Sequence, residues 1–258
     1  MNRIVGKKVL VTGASSGIGE ACARLFAERG ADLVLCARRE DRVRSLAKEL
    51  HKTHGVRVEA RALDVTDRRA VEAFASEIEE EGLFPDIVVN NAGKALGFDK
   101  LHEGDVEDWE GMIDTNVKGL LYVSRAILPG MVRRNQGHVI NIGSIAGHWV
   151  YPSGNVYNAT KFAVRALTEG MNLDLVGTKV RVSSVDPGLV ETEFSVVRFH
   201  GDEGRADSVY EGFTPLTGDD VADAVCYIAN APPHVDVLDL VLLPTDQRGA
   251  TVVHREGA

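Results

Sequence analysis

The sequence has few of the features that mark several large classes of protein. Its three cysteines, Cys22, Cys36 and Cys226, are far apart and form no C-x-x-C pair, which argues against a zinc site and a disulfide framework. No apolar signal stretch follows Met1, and no run approaches the roughly 18 apolar residues of a membrane span. We therefore expect a cytoplasmic protein with no metal and no membrane partner.

Strong positive charge is also missing. The 29 basic and 38 acidic side chains give a formal net charge of -9. No basic run exceeds two arginines, as in Arg38-Arg39, and this argues against a nucleic acid partner. What remains, 44% hydrophobic and 26% charged residues with 26 glycines, is typical of a globular protein with many tight turns.

Short apolar runs alternate with segments of helical periodicity along the chain. The helical segments span about 12 to 25 residues, and their alternation with strands predicts a parallel sheet covered by helices on both faces. No repeat or linker divides the sequence, so we expect one α/β domain over residues 1–258, a Rossmann-type doubly wound parallel sheet of about seven strands. The runs that predict strands are 8–12, 32–36, 57–65, 86–89, 137–142, 180–185 and 235–243.

Three stretches are less regular. A long helix is expected over 105–130, ended by Pro129, with Asn116 in its middle. Because asparagine is a weak helix former, we expect a kink, a polar contact or an exposed side chain there. Residues 189–213 have mixed charge and no clear period, which favours a lid over the substrate against a plain surface excursion. Residues 244–258 are expected to form a C-terminal surface tail.

A glycine-rich segment connects the first predicted strand to the first predicted helix. Glycine lets the backbone turn sharply and approach a ligand, and a helix N-terminus offers free N–H groups to a pyrophosphate. The spacing is G-x3-G-x-G, unlike the common G-x-G-x-x-G, and a glycine turn without a ligand is the alternative. The residues of this predicted dinucleotide site are Gly13, Ser15, Ser16, Gly17, Ile18 and Gly19.

The end of the second strand lacks a carboxylate. A chain that selects NAD usually places an acid there, roughly 20 residues beyond the glycines, to hold the ribose 2′-hydroxyl. This chain instead has Arg38 and Arg39, whose guanidinium groups suit the 2′-phosphate of NADP. Solvated loop charges are the alternative. We expect NADP(H) as the cofactor, with Arg38 the stronger candidate contact.

Polar or turn-forming residues also follow the other predicted strands. The carboxylate of Asp64, beside Val65, would accept from the adenine amino group or cap a turn. Further along the chain lie Asn90-Asn91-Ala92-Gly93, Ser144 and Pro187-Gly188. Because the carboxyl ends of parallel strands meet at one edge of the sheet, we expect these residues to form a single site.

Tyr157 and Lys161 are four residues apart in a predicted helix over 153–175, so their side chains share one face. A cation about 4 Å from the phenol, at an effective dielectric of about 20, is worth up to about 4 kcal/mol. That interaction would lower the tyrosine pKa by roughly two to three units towards neutrality. A solvated pair is the alternative, but the other signals at the same sheet edge favour a catalytic pair.

Together these motifs resemble the short-chain dehydrogenase/reductase family over essentially the whole length. The resemblance rests on the glycine motif, on Asn90-Asn91-Ala92-Gly93, on the Pro187-Gly188 turn and on a tetrad. The tetrad consists of Asn116, Ser144, Tyr157 and Lys161.

The resemblance implies a role for each tetrad residue. Tyr157 would be the general acid or base, and Ser144 would hydrogen-bond the reacting oxygen. Lys161 would lower the tyrosine pKa and hold the nicotinamide ribose, while Asn116 would fix a water molecule in a proton relay. The further cofactor contacts that it implies are Asn90, Ala92, Gly93, Pro187, Gly188, Val190 and Thr192.

Within the family, residues 155–157, 186–199 and 244–247 resemble the NADP-dependent 3-hydroxy acid dehydrogenases, a branch that includes serine and L-allo-threonine dehydrogenases and malonic semialdehyde reductases. The resemblance implies hydride transfer between the nicotinamide and a small hydroxy acid or its semialdehyde or keto form. Sulfoacetaldehyde reductases look similar. The alternatives are therefore a reductase of that or another carbonyl, or a non-catalytic dinucleotide-binding regulator. Family membership also implies a homotetramer, with a dimer as the alternative.

A small anionic substrate requires a cation near the reacting centre. Arg198, on the segment after Pro187-Gly188, is the candidate, and a bidentate contact would suit it. A surface ion pair with Glu191, Glu193 or Asp202 is the alternative. Tyr151, together with the neighbouring residues 148–149, would either shape the substrate pocket or pack on the cofactor side.

Overall fold

Seven parallel strands form one sheet in the computed structural model, which describes residues 1–257. The strands are β1 (Lys8–Thr12), β2 (Asp32–Ala37), β3 (Val58–Ala62), β4 (Ile87–Asn90), β5 (Gly137–Ile142), β6 (Val180–Pro187) and β7 (Asp239–Leu242). Their order is β3-β2-β1-β4-β5-β6-β7, so the direction of progression reverses between β1 and β4. The predicted Rossmann-type sheet is confirmed, although the last strand is shorter than the expected 235–243.

Helices cover both faces of the sheet, as predicted. They are α1 (Gly17–Glu28), α2 (Glu40–His54), α3 (Arg68–Glu80), α4 (Val106–Ile113), α5 (Leu120–Arg134), α6 (Asn155–Asp174), α7 (Phe194–Arg198), α8 (Glu203–Ser208) and α9 (Gly218–Ala229). Helices α1, α2 and α9 contribute to one buried apolar cluster, and α3 and α5 contribute to the other. Among the helices of residues 1–257, none has both the length and the apolar character that crossing a bilayer requires.

The strands place alternate side chains in the two layers. In β1, Val9 and Val11 belong to the cluster with α1, while Leu10 belongs to the cluster with α3. All three are fully buried. Because successive side chains of a strand point to opposite faces, a strand covered on both faces reads as a continuous apolar run. This is why the strands were visible in the sequence.

The long helix expected over 105–130 is divided into two. Between α4 and α5 the backbone forms a π-helical turn, Asp114–Gly119, which contains Asn116. Of the alternatives for Asn116, a local distortion of the helix and a polar contact are observed, and an exposed side chain is not, since Asn116 is buried. The predicted end at Pro129 is wrong, because α5 continues through this residue to Arg134 and is capped by Asn135, whose φ is 49°. Proline removes one backbone hydrogen bond, but the buried Ile127 and Met131 on either side keep the helix packed on the sheet.

The C-terminal segment is not simply a surface tail. Gln247 is fully buried, and its Oε1 accepts from the backbone N–H of Leu189 at 2.9 Å. Further on, the N–H of Glu256 donates to the carbonyl oxygen of Gly212 at 2.7 Å. The expectation of a surface tail is therefore wrong for Gln247, because this side chain satisfies the backbone at the start of segment 189–213. Position 258 lies outside the described residues.

Candidate active site

A cavity of about 1040 Å³ opens where the carboxyl ends of the strands meet. Its walls come from the glycine-rich turn after β1, the ends of the neighbouring strands, the first half of α6 and segment 189–213. A doubly wound sheet binds its ligand at this position. The predicted site residues that line it are Gly13, Ser15, Ser16, Gly17, Ile18, Arg38, Arg39, Asp64, Val65, Ala92, Gly93, Ser144, Tyr151, Tyr157, Lys161, Pro187, Gly188, Val190, Thr192 and Arg198.

The turn between β1 and α1 leaves the amino end of the helix open. Ser16, at the N-cap of α1, makes no side-chain capping hydrogen bond, so N–H groups of the first turn are available to an anion. Gly13 and Gly17 have φ angles of 66° and 56°, in the region that favours glycine. The turn thus fits the pyrophosphate of a dinucleotide.

Gly19 lies behind this turn and does not line the cavity. A Cβ at this position would overlap the side-chain amide of Asn91 and the carbonyl oxygen of Gly13. Asn91 Nδ2 donates to the carbonyl oxygens of Thr12 at 2.9 Å and of Gly13 at 3.1 Å. Gly19 is therefore needed for close packing, and Asn91, expected at this edge of the sheet as part of its motif, supports the glycine turn.

Asn90 does not line the cavity either, and its side chain is directed away from it. This side chain is 5% exposed, and its Nδ2 donates to Asn141 Oδ1 at 2.9 Å and to Ser124 Oγ at 3.2 Å. Because side chains alternate along β4, Asn90 points into the layer of α5 while Asn91 points to the glycine turn.

At the adenosine end, Arg39 is already engaged by the glycine turn. Its Nε donates to Ser15 Oγ at 3.1 Å, and a terminal nitrogen donates to Ser16 Oγ at 2.6 Å. Arg38 is exposed and lines the cavity beside it. Asp64 also lines the cavity, but its Oδ1 accepts from the N–H and hydroxyl of Thr66 at 2.9 and 2.8 Å, so the turn-cap interpretation is observed.

Asn116 is buried beneath the cavity, where it clamps the main chain of Lys94. Its Nδ2 donates to the carbonyl oxygen of Lys94 at 2.8 Å and to Thr160 Oγ1 at 3.0 Å, while its Oδ1 accepts from the N–H of Lys94 at 2.8 Å. Both N–H groups of the side-chain amide are thus used, and its Oδ1 accepts one hydrogen bond.

Ser144, Tyr157 and Lys161 meet on the floor of the cavity and are 7–8% exposed. Ser144 follows β5, and its Oγ accepts from the N–H of Ala146 at 3.1 Å. Lys161 Nζ donates to the carbonyl oxygen of Ile142 at 2.9 Å and lies 5.9 Å from the centre of the Tyr157 ring. The four-residue spacing on α6 therefore does place phenol and ammonium in the same space.

The electrostatics differ from the expectation for Tyr157. Burial is the largest effect and raises the pKa of its phenol, with Tyr151 adding to the rise, while a hydrogen bond with Ser144 and the charge of Arg198 oppose it. Lys161 is buried as well, and burial lowers the pKa of its ammonium to about 8, against the attraction of Asp186. With the groups of this chain alone, the expected lowering is wrong, and the phenol is protonated at neutral pH.

A second group of polar side chains supports the Ser144 turn. His148 Nε2 lies 2.6 Å from Asp186 Oδ2, and an Arg165 terminal nitrogen lies 3.2 Å from His148 Nδ1. Because a guanidinium can only donate, Nδ1 accepts and Nε2–H donates to the carboxylate. This chain of hydrogen bonds joins α6 and the Ser144 turn to the end of β6, just before Pro187.

Arg198 lies over the opposite side of the cavity, among aromatic rings. Its guanidinium donates to the Tyr151 hydroxyl at 3.2 Å and to the carbonyl oxygen of Gly97 at 3.3 Å, and its central carbon lies 4.6 Å from the centre of the Phe98 ring. Within residues 1–257 it forms none of the ion pairs considered from the sequence, with Glu191, Glu193 or Asp202.

Two aromatic residues of the site were missed. Phe98 stacks on Tyr151 with ring centres 6.3 Å apart, and Phe194 meets Tyr157 edge-on at 5.7 Å. Both line the cavity. Neither belongs to a periodic segment, and the long-range contacts that bring them here leave no local pattern in the sequence.

Comparisons with known proteins agree with this geometry. The family model described as short chain dehydrogenase matches residues 7–202. The chain is 48% identical over 249 residues to the NADP-dependent 3-hydroxy acid dehydrogenase YdfG of Salmonella typhi, which covers 96% of this chain and 99% of that one. It is 45% identical over 240 residues to sulfoacetaldehyde reductase 2 of Chromohalobacter salexigens, covering 93% and 94%.

A solved structure, the closed form of serine dehydrogenase complexed with NADP+, has a TM-score of 0.89 and 47% identity, covering 96% of this chain and 99% of that one. The chain belongs to the short chain dehydrogenase family. The family resemblance drawn from the sequence motifs is thus confirmed.

Proposed function

We propose that this NADP-dependent dehydrogenase transfers a hydride between the nicotinamide and a small hydroxy acid or its semialdehyde or keto form. The observation that carries the proposal is the burial of Ser144, Tyr157 and Lys161 together on the floor of the cavity whose far end holds Arg38 and Arg39. The relatives named NADP-dependent 3-hydroxy acid dehydrogenase support the cofactor and the hydroxy acid.

The chain's own residues supply the proton and the orientation. The phenol of Tyr157 would donate its proton to the carbonyl oxygen in reduction, and its phenolate would accept the proton of the alcohol in oxidation. Ser144 Oγ would hydrogen-bond the same oxygen. Lys161, whose ammonium lies 5.9 Å from the centre of the Tyr157 ring, would stabilise a phenolate and hold the ribose hydroxyls of the cofactor. When bound, NADP(H) supplies or accepts the hydride.

The residues that would hold NADP(H) follow from the geometry of the cavity. The open amino end of α1 accepts the pyrophosphate, and Arg38 with Arg39 accepts the 2′-phosphate. Asp64 and Val65 line the adenine end, while Gly93, Pro187, Gly188 and Thr192 line the nicotinamide end.

The position of Arg198 supports the proposal that the substrate is an anion. Its guanidinium is held in place by Tyr151 and by the backbone of Gly97, so it needs little reorganisation to bind an acid group. A carboxylate and a sulfonate both suit it, and the relative named sulfoacetaldehyde reductase favours the sulfonated aldehyde as the second candidate. Segment 189–213 carries Arg198, and we infer that it acts as a lid over the substrate.

Initial rates test this proposal. We would measure oxidation of L-serine, L-allo-threonine and 3-hydroxypropionate, and reduction of malonic semialdehyde and sulfoacetaldehyde, each with NADP(H) and with NAD(H). The proposal predicts turnover of one of these small acids with NADP(H) as the preferred cofactor. Failure of every small acid, with NADP still bound, would refute the substrate class and leave larger carbonyls or a regulatory role.

We further propose that the enzyme is a cytoplasmic homotetramer, with a dimer as the alternative. Several apolar side chains on the outer faces of α5 and α6 are exposed, including Leu121, Phe162 and Leu173, at 39%, 40% and 73%. Faces of this kind are typical of subunit interfaces. Light scattering coupled to size-exclusion chromatography gives the subunit number directly.

A further inference from the structure

Glu193 brings a carboxylate from the lid to the arginines at the adenosine end of the cavity. Its Oε2 lies 2.8 Å from a terminal nitrogen of Arg39, and its Oε1 lies 2.7 Å from a terminal nitrogen of Arg42. Glu193 is separated from these residues by more than 150 positions in the chain. Each carboxylate oxygen of Glu193 is thus paired with a different guanidinium. The oxygens of a phosphate group would bind these arginines in the same way.

All three side-chain nitrogens of Arg39 donate a hydrogen bond in this arrangement. Its Nε and one terminal nitrogen donate to Ser15 and Ser16 of the glycine turn, and the other terminal nitrogen donates to Glu193. Each terminal nitrogen keeps a second N–H, so a 2′-phosphate would bind Arg39 either beside the carboxylate or in its place, and repulsion between the two anions favours replacement. The hydrogen bonds from Arg39 and then Arg42 also keep the pKa of Glu193 below its ordinary value, so the carboxylate is charged at neutral pH.

The lid position of Glu193 links this contact to the other end of the cavity. Glu193 is the N-cap of α7, and Arg198 is the last residue of the same short helix. Between them, Phe194 lies against Tyr157. One end of α7 is therefore held by Arg39, and the other lies at the proposed substrate contact.

We propose that Glu193 is a cofactor-discriminating residue whose carboxylate competes with the 2′-phosphate of NADP for Arg39. This inference rests on the proposed function, which assigns the 2′-phosphate to Arg38 and Arg39. Binding of the phosphate displaces Glu193 and releases the amino end of α7, whereas NAD has no group that does so. The ion pair is displaceable because the side chains of Arg39 and Glu193 are 44% and 46% exposed.

Isothermal calorimetry of the full chain with adenosine 2′,5′-bisphosphate and with 5′-AMP tests the competition. Glu193→Gln should bind the bisphosphate roughly 1.5-fold to fivefold more tightly, because the variant lacks the exposed ion pair that competes with the phosphate for Arg39. Binding of 5′-AMP should not change. The gain should shrink at high salt, since the competing contacts are exposed. Unchanged or weaker binding of the bisphosphate to Glu193→Gln overturns the proposal.

Two further variants make the result specific. Glu191→Gln removes a neighbouring exposed carboxylate that does not line the cavity, and it should leave both affinities unchanged. In an Arg39→Met background, Glu193→Gln should no longer increase the affinity for the bisphosphate, because the competition acts through Arg39. A gain that persists in that background overturns the competition. If Arg39→Met alone leaves the bisphosphate affinity unchanged, the assignment of Arg39 in the proposed function fails instead.

Hydrogen exchange gives a readout of the lid. The bisphosphate lacks a nicotinamide, so it should release Glu193 without adding contacts at the substrate end. Exchange of the amides of α7 should therefore rise several-fold with the bisphosphate and stay constant with 5′-AMP. Unchanged exchange of α7 with the bisphosphate overturns the coupling of phosphate binding to the lid.

Discussion

The guanidinium of Arg198 donates to the hydroxyl of Tyr151 at 3.2 Å, across 47 positions of the chain. This contact fixes the cation over the cavity that holds Tyr157, whose ring centre lies 5.8 Å from the guanidinium carbon. A carboxylate bound by Arg198 would thus place a short substrate within reach of the phenol. The position of Arg198 thus links binding of an acidic substrate to proton transfer by Tyr157.

Replacing Arg198 by methionine should raise the KM for the small acid about 10-fold to 100-fold, because a charge-assisted contact is worth about 1.5–3 kcal/mol. The kcat should change much less. Steady-state kinetics on the best acid measure both constants. Arg205→Met is the matched control, since this arginine also lines the cavity but stacks on Phe199 at 4.5 Å. An unchanged KM in Arg198→Met would show that this residue does not bind the acid group.

Lys161→Met should reveal the cost of a buried ammonium. The folded pKa is about 8 against an ordinary value of 10.5, so between these pH values the unfolded chain binds more protons and stability rises with pH. This pKa shift corresponds to about 3 kcal/mol of destabilisation of the folded protein below pH 8. The methionine variant escapes that destabilisation but also loses the hydrogen bond to Ile142, worth about 1 kcal/mol.

Urea unfolding at pH 7 and at pH 10 measures this effect. Lys161→Met should be more stable than the original chain at pH 7, and its advantage should fall towards pH 10. A variant that is less stable at both pH values would mean that the ammonium is well solvated in the folded protein.

Gly143→Ala should destabilise the protein by several kcal/mol, because a Cβ at this position would overlap the buried carboxylate of Asp186. That carboxylate accepts from His148 and supports the Ser144 turn. Gly170→Ala, with open space around its Cβ, should instead stabilise α6 by about 0.5–1 kcal/mol. Thermal unfolding of the pair provides the measurement. If Gly143→Ala and Gly170→Ala changed the thermal stability by the same amount, tight packing around Gly143 would be contradicted.

Limited proteolysis tests the lid. Cleavage within 189–213 should slow when cofactor and substrate are added together, because closure orders the segment. Residues near Gly170 on α6 provide an internal reference, since no lid motion affects them. Cleavage at an unchanged rate in the ternary mixture would indicate a fixed surface excursion.

The fold was predictable because strands such as β1 and β4 are largely apolar runs and helices such as α1 and α3 are amphipathic. The continuation of α5 through Pro129 was not predictable, since it depends on packing of this helix on the sheet rather than on local helix propensity. The orientation of Asn90 followed from alternation along β4, but its partner Asn141 becomes its neighbour only when β5 pairs with β4.

The site residues were largely predictable where a motif carries them. Tyr157 and Lys161 share a helix face, which spacing alone reveals. The sign of the pKa change at Tyr157 was not predictable, because burial outweighs the attraction expected from the neighbouring ammonium. The contact between Arg39 and Glu193 joins residues 154 positions apart and leaves no local signal.

The central claim, proton transfer by Tyr157, is tested most directly by comparing Tyr157→Phe with Tyr151→Phe. Both remove one hydroxyl from the cavity lining. Binding of NADPH, followed by fluorescence, should be retained in both variants. We predict that kcat falls about 100-fold to 10,000-fold in Tyr157→Phe and less than about 10-fold in Tyr151→Phe. A Tyr157→Phe enzyme that binds NADPH and keeps more than about a tenth of its activity would contradict the account.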